Sequence, residues 1–352
     1  MRDIVDGLAG WRAAGLTFAV ATVVHTWRSA PRQPGAAMAV NSLGEVLGSV
    51  SGGCVEGAVH AAAEETIKTG KPRSLTYGVS DGDAFDVGLT CGGTVEVLVQ
   101  PDSALAGIDD LLADITAGRP VATASVPGAQ LIVRTAAGVP EIVGTLGDAD
   151  LDRIAALRAA GLLAQGRTAM VRACDREIFV QTYATPPRMI VFGAIDFAAA
   201  VARIGRFLGY RVTVCDARPV FATPARFPEA DEVIVQWPHR YLASTEVDAR
   251  TVLCVLTHDP KFDIPLLEVA LRTPAAYIGA MGSRRTCADR VERLREAGVP
   301  ESALARLRAP IGLDLGARTP EETAVAVASE IIALSWGGSG LPLTALTAPI
   351  HG

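Results

Sequence analysis

The sequence predicts an α/β protein in two parts, an N-terminal mixed α/β domain followed by a Rossmann-like domain with a doubly wound parallel sheet. Three observations carry this. Ala184-Thr-Pro-Pro-Arg188 interrupts the chain with adjacent prolines, which continue neither a helix nor a central strand. Beyond it, short apolar runs alternate with helical stretches, the pattern of a parallel sheet covered on both faces. Before it, strand-like runs and hairpin turns are mixed with helices. The expected domains are residues 1–184 and 185–352, and 352 residues at 49% hydrophobic content are enough to build two cores.

Ile4, Leu8 and Trp11 share one helical face at the start, but Arg2, Asp3 and Asp6 stand among them, so this is an opening helix and no secretory signal. Residues 17–24, rich in Val, Ala and Thr, suit a buried strand. They feed a loop, 26–35, with two prolines. There Arg28, Ser29 and Arg32 read either as contacts for an anionic ligand or as ordinary solvated loop residues. Residues 36–40 and 45–50 form a hairpin through Asn41-Ser-Leu-Gly44. The second strand delivers the chain into Gly48-Ser-Val-Ser-Gly-Gly-Cys-Val-Glu56.

From Val55, the residues Val59, Ala62, Ala63, Thr66 and Ile67 recur at helical spacing up to Gly70, with Pro72 beyond. Cys54 is therefore expected in the first helical turn, with Gly53 as N-cap and Glu56 reaching back to the cap N–H. Free N–H groups and the positive dipole end favour a thiolate or a bound anion there. Gly52 and Gly53 let a ligand come close to the backbone. A glycine-tightened helix entrance around an inert, buried thiol has the same signature.

Thr90-Cys-Gly-Gly93 supplies a second glycine-flanked cysteine, Cys91, on the loop entering a strand at 94–99 whose valines alternate. The two thiols both sit at element ends, where they could approach one another. His25 and His60 have no partner at ligand spacing and read as structural. From 101 to 183 the chain offers a helix near 108–117, strands at 121–126, 130–135 and 141–145, a helix over 148–160, and strands at 167–172 and 177–182. This stretch is expected to complete the sheet of the first domain.

In the second half, residues 189–192 read as a strand, Gly193 as a turn, Asp196 as an N-cap, and 211–215 as a second strand ending at Asp216. Strand, turn, helix, strand, acid is the first half of a Rossmann unit, with Asp216 placed for a ribose hydroxyl. The glycine code is broken, however. Gly193, Ile195 and Ala198 occupy the G-x-G-x-x-G positions, so a branched side chain stands where pyrophosphate approaches bare backbone. That counts against NAD(P) in its usual pose. Further strands are expected at 233–235, 252–256, 276–279 and 310–312, with Cys215 and Cys254 in the core. The strand ends carry Thr257-His-Asp259 and Gly279-Ala-Met-Gly-Ser-Arg-Arg285. Gly282, Ser283 and Arg284 are candidates for holding a phosphate, or a plain helix cap whose arginines face water; His258 is a binding candidate. Thr319-Pro-Glu-Glu322 is a helix start.

With 32 basic against 38 acidic residues, a net charge of -6 and no basic block, neither nucleic acid nor an anionic membrane surface is an expected partner. Apolar runs are broken well short of a membrane span. Six scattered cysteines without a CxxC pair argue against a disulfide framework or a zinc site. A cytoplasmic protein is expected.

Taken together, Ser29-Ala-Pro-Arg32, Gly48-Ser-Val-Ser-Gly-Gly-Cys54, Thr90-Cys-Gly-Gly93, Thr257-His-Asp259, Gly279-Ala-Met-Gly-Ser-Arg-Arg285 and Pro310-Ile-Gly-Leu-Asp314 resemble the XdhC/CoxI family, in order and over nearly the whole chain. The resemblance implies an accessory protein for molybdenum hydroxylases such as xanthine dehydrogenase. Such a protein binds the molybdenum cofactor, protects it while a cysteine desulfurase supplies its terminal sulfur, and passes it to the apoenzyme. It implies molybdopterin or its cytosine dinucleotide form as ligand, a homodimer, and Cys54 and Cys91 as the thiols nearest the molybdenum. Arg32, Ser51, Gly52, Gly53, Gly92 and Gly93 then become its surroundings.

Two other readings stay open. One is an NAD(P)-dependent oxidoreductase, or a protein that associates with xanthine dehydrogenase as one of its subunits, motivated by Asp216; the other is a thiol switch between Cys54 and Cys91. A whole xanthine dehydrogenase is excluded by the lack of a four-cysteine cluster pattern and by length.

Overall fold

The computed structural model describes residues 1–27, 32–78, 93–136, 139–257 and 259–347. Two compact units are present, one holding Met1–Thr185 and the last residues from Leu346, the other Pro186–Ala345.

The first unit is one plan built twice. Its first half runs α1 (Val5–Ala13), β1 (Phe18–Trp27), β2 (Ala37–Asn41), β3 (Val46–Gly48), α2 (Glu56–Thr69), β4 (Arg73–Tyr77) and β5 (Thr94–Pro101). The second runs α3 (Ile108–Thr116), β6 (Val121–Val126), β7 (Ala129–Ala136), β8 (Val139–Gly144), α4 (Ala149–Gln165), β9 (Ala169–Ala173) and β10 (Arg176–Tyr183). Each half makes its own five-stranded sheet, in the orders β3-β2-β1-β5-β4 and β8-β7-β6-β10-β9. Strand for strand the orders match, and the neighbours pair antiparallel. Residues 101–183 therefore do not complete the first sheet, contrary to the expectation from sequence. They pair among themselves and carry their own covering helix.

Alternation along the strands explains the layers. Ala19, Ala21 and Val23 of β1 and Val95, Val97 and Val99 of β5 face Val59, Ala62 and Ala63 of α2. Ala122 and Ala124 of β6 and Ile178 and Val180 of β10 face Leu151, Ala155 and Ala159 of α4 in the same way. Phe18 and Val20 from one sheet, and Val121 and Ile132 from the other, share a core with Leu8 of α1 and Leu111 of α3.

The second unit runs β11 (Arg188–Phe192), α5 (Asp196–Phe207), β12 (Arg211–Asp216), β13 (Glu232–Val235), α6 (Pro238–Ser244), β14 (Val252–Val255) and α7 (Pro260–Ala270). It continues with β15 (Tyr277–Ala280), α8 (Arg284–Glu296), α9 (Glu301–Leu304), β16 (Leu307–Arg308) and α10 (Pro320–Trp336). All strands are parallel in the order β13-β12-β11-β14-β15-β16. That is the Rossmann order, with its reversal between β11 and β14. Both faces are covered, by α5 and α10 on one side and by α6, α7 and α8 on the other. Cys215 and Cys254 are core residues, and burial pushes both thiols up to about 12.

Three local expectations change. The last strand lies at Leu307–Arg308, before Pro310, whose nitrogen offers the ladder no proton. Asp196 is the first residue of α5 and not its cap; Ile195 holds that place with no side-chain bond. Glu56 opens α2 with Val55, not Gly53, at the N-cap position, so Cys54 precedes the helix and does not sit in its first turn. The capping box of Thr319 and Glu322 forms as the sequence predicts. Among the described residues, no helix is long and apolar enough to cross a membrane.

Candidate functional site

Strand direction brings the ends of three connections, among them the one that bears Cys54, to one end of the first sheet. β1 ends there at Trp27, opposite Thr94 at the start of β5; Tyr77, the last residue of β4, is opposite Val95. β2 starts at that end with Ala37, and β3 finishes there with Gly48 opposite Met38. Three connections therefore leave the same edge, at 28–36, 49–55 and 78–93. In the second half of the unit the corresponding connections are 127–128, 145–148 and 174–175. The longer connections belong only to the half with the motifs.

The 49–55 connection is built around Glu56. Its Oε1 accepts the Ser49 hydroxyl at 2.7 Å and the N–H groups of Ser51 and Gly52, each at 2.9 Å. Its Oε2 accepts the Ser51 hydroxyl at 2.5 Å, Gly53 N–H at 2.8 Å and Val55 N–H at 3.2 Å. The Cys54 N–H goes to the Ser51 hydroxyl oxygen at 3.0 Å. Burial alone would raise the Glu56 carboxyl, but these donors outweigh it and hold it at about 2. The N–H groups that the sequence offered to an external anion are thus already taken by an internal carboxylate. Gly52 and Gly53 have φ of +83° and +123°, and a Cβ on either would meet nothing within 4 Å among the described residues. Only glycine follows that path without strain.

Arg32 and Ser51 join Cys54 here. The Arg32 guanidinium donates from Nη2 to the Ser49 carbonyl at 3.5 Å, while its Nε is buried and, among the described residues, has no hydrogen-bond partner. Cys54 is half-buried against the core that α2 covers. Gly93 is buried where the chain enters β5. Cys91, Gly92 and His258, with Arg28 and Ser29, lie outside the described residues.

The second unit places Gly193, Asp216, Gly282, Ser283 and Arg284 at the carboxyl ends of its strands, apart from one another in role. Gly193 has φ +107°, and a Cβ there would lie 3.1 Å from the Thr257 nitrogen, so close approach of the two central strand ends requires the glycine. Asp216 is buried, and both its oxygens are engaged. Oδ2 accepts Ala194 N–H at 2.7 Å and Arg218 Nη2 at 2.8 Å, while Oδ1 accepts the Arg218 N–H and Nε, each at 2.9 Å. Ser283 caps α8 through Thr286 N–H at 3.1 Å, and Arg284 is exposed beside it. Gly282 packs near Cys287 and Arg290, where a Cβ would lie 3.2 Å from the Cys287 sulfur.

Sequence reasoning missed two partners. Arg218, two residues beyond Asp216, answers the carboxylate; the Asp-x-Arg spacing was the available signal. Beneath the strand ends, buried Asp263 accepts the Thr257 hydroxyl and pairs with buried Arg290 at 2.6 Å. Nothing in local spacing joins these two, because they sit on different helices.

Two family descriptions match the chain, "XdhC and CoxI family" over residues 11–78 and "XdhC Rossmann domain" over 189–331. The chain belongs to the XdhC/CoxI family. A relative from Bacillus subtilis strain 168, named as a probable xanthine dehydrogenase subunit, is 28% identical, over 89% of this chain and 92% of its own. "Molybdenum cofactor insertion chaperone PaoD" from Escherichia coli strain K12 is 26% identical, over 94% of this chain and 86% of its own. A solved structure named as a xanthine dehydrogenase from Bacillus halodurans superposes with a TM-score of 0.66 and 25% identity, covering 94% of this chain and 95% of that one. The first family match spans β1 to β4 and so contains the Glu56 turn; the second spans the Rossmann sheet as far as α10.

Proposed function

We propose that this chain binds the molybdenum cofactor, supports its sulfuration and inserts it into a xanthine dehydrogenase-type molybdenum hydroxylase. The observation that carries this is Cys54 on a turn fixed by Glu56, beside Arg32, whose buried Nε has no hydrogen-bond partner among the described residues. The full-length relationship to a chain named as a molybdenum cofactor insertion chaperone supports it.

The cofactor is cargo here, in molybdopterin or cytosine dinucleotide form, and brings the molybdenum centre. Cys54 offers that centre a soft sulfur donor. Arg32 offers a cation to its anionic end, in place of the N–H groups that Glu56 occupies. Cys91 is the second thiol proposed for the site. The hydroxylase apoenzyme and a cysteine desulfurase are the proposed partners, with a homodimer in the cytoplasm as the proposed state.

The Rossmann sheet favours a second reading, in which NAD(P) binds at the strand ends. Asp216 weighs against it, since a ribose hydroxyl would have to displace Arg218 from both carboxylate oxygens. The deciding experiment adds extracted molybdenum cofactor to the purified protein, separates bound from free, and measures molybdenum and oxidised pterin fluorescence together. Co-elution of both with the protein is expected. Elution of both with the free fraction would overturn the proposal.

A further inference from the structure

The duplicated plan of the first unit supplies an internal comparison for the Cys54 turn. Gly48 and Gly144 both end a strand, with φ of +74° and +92°. Each is pressed against the backbone carbonyl of the neighbouring strand, of Ala37 and Gln130 respectively, where a Cβ has no room. The next residue donates its hydroxyl to an acid seven positions on, Ser49 to Glu56 and Thr145 to Asp152, both at 2.7 Å. The same hydroxyl oxygens accept Gly52 N–H and Gly147 N–H, both at 2.9 Å. Val50 and Leu146 are buried after them, as are Val55 and Leu151 just before the acids. Both helices end on a left-handed glycine, Gly70 or Gly166.

The frames part at one place. α4 begins at Ala149 with Asp148 as its cap, so the acid Asp152 already lies inside the helix; it takes one backbone N–H, that of Leu146, at 2.6 Å. α2 does not begin until Glu56 itself. The stretch that is helical at 149–151 is unwound at 53–55, and Cys54 falls within it. A first helical turn has few acceptors for its own N–H groups, and unwinding it leaves donors without partners. Glu56 takes four of them, from Ser51, Gly52, Gly53 and Val55.

We infer that Glu56 is the positioning residue of the Cys54 site, its carboxylate standing in for the missing first turn of α2 and fixing residues 51–55 so that the thiol is presented at one place. The inference rests on Cys54 being the working thiol of the proposed function. It also makes the turn a closed one: Glu56 withholds these N–H groups from phosphate, so anion selection at the site falls to Arg32. The second copy keeps the glycine, the hydroxyl and the acid of the frame but has Asp150, not a thiol, two places before its acid.

The test uses the full chain without cofactor. Alkylation of Cys54 by iodoacetamide at neutral pH is followed by peptide mass mapping in wild type, Glu56→Ala, Glu56→Asp and Asp152→Asn, each checked for native circular dichroism. Releasing a turn held by charge-assisted bonds should speed alkylation of Cys54 about tenfold in Glu56→Ala, with Glu56→Asp partly restoring the wild-type rate. Asp152→Asn, which loosens the equivalent frame of the second half, should leave the Cys54 rate unchanged. An unchanged rate in folded Glu56→Ala overturns the inference, as does an equal change in Asp152→Asn. Hydrogen exchange of the wild-type protein gives the same decision where the alanine variant fails to fold. The amides of residues 51, 52, 53 and 55 should be protected although they lie outside the helix, and exchange as fast as in open loops overturns the inference. Cofactor retention is read in neither measurement, so the two proposals fail separately.

Discussion

Ser51 donates twice to Glu56, through its hydroxyl at 2.5 Å and its N–H at 2.9 Å, while its own oxygen accepts the Cys54 N–H at 3.0 Å. The thiol is thereby linked to the start of α2 through a single serine. Such a turn is stiff without being helical, which suits the role proposed for Cys54 of meeting a bulky ligand in one fixed position. It also explains why the glycines matter: they supply a backbone path with positive φ, and the carboxylate satisfies the donors which that path exposes.

Acid should loosen this turn before it loosens the sheets. The Glu56 carboxyl is held at about 2 against an ordinary value of 4.5. Its contribution to stability is therefore fully present above about pH 4.5 and is lost as the pH falls toward 2. Urea unfolding of wild type and Glu56→Gln across that range should show a gap that is constant at pH 6 and closes below pH 4. A gap independent of pH would mean that the carboxylate is not held by these donors.

The buried Asp263–Arg290 pair should be worth more to the second unit than its exposed ion pairs. Both side chains are almost fully enclosed, at 3% and 4% exposure. Removing one partner strands a buried charge, and Arg290→Met is expected to cost about 3–5 kcal/mol of unfolding free energy. Replacing both residues by apolar ones should cost clearly less. Calorimetry of the three proteins reads the difference directly.

Nicotinamide cofactors should not bind saturably near a millimolar concentration, about the level of a −4 kcal/mol interaction. Asp216 is already paired with Arg218 and Ala194. Burial alone would raise its carboxyl, but these partners outweigh that and hold it below the usual carboxylate range. Tryptophan-fluorescence titration with NAD and NADP decides this, and a micromolar saturable curve would restore the oxidoreductase reading.

Much of the second unit is legible in the sequence because a parallel sheet buried on both faces leaves short apolar runs, and 189–192, 211–215 and 252–256 are such runs. Its last strand is not, because Leu307–Arg308 is too short to show a pattern. In the first unit the strands other than β4 are legible; Arg73–Tyr77 is short and polar and shows no apolar run, and the allotment of the strands to two sheets is hidden too, since pairing register is set by partners far along the chain. The repeat stays hidden because Gly48–Glu56 and Gly144–Asp152 share a shape through a glycine, a hydroxyl and an acid at fixed spacing, with little else in common. A cap pattern brings Glu56 back to Gly53, and that bond exists. The five other donors to Glu56 do not follow from a cap pattern, because they depend on where the helix starts. The convergence of the Arg32 and Cys54 connections likewise follows from strand order alone.

Cofactor retention by Cys54→Ser decides whether this thiol holds the cofactor. Wild type and variant are loaded with extracted molybdenum cofactor under reducing, oxygen-free conditions, desalted, and measured for molybdenum and pterin per chain. Both are expected to fall together in Cys54→Ser while the fold and the Glu56 turn persist, because serine keeps the shape but not the soft donor. Equal molybdenum and pterin occupancy in the two proteins would contradict this expectation and remove Cys54 from the site.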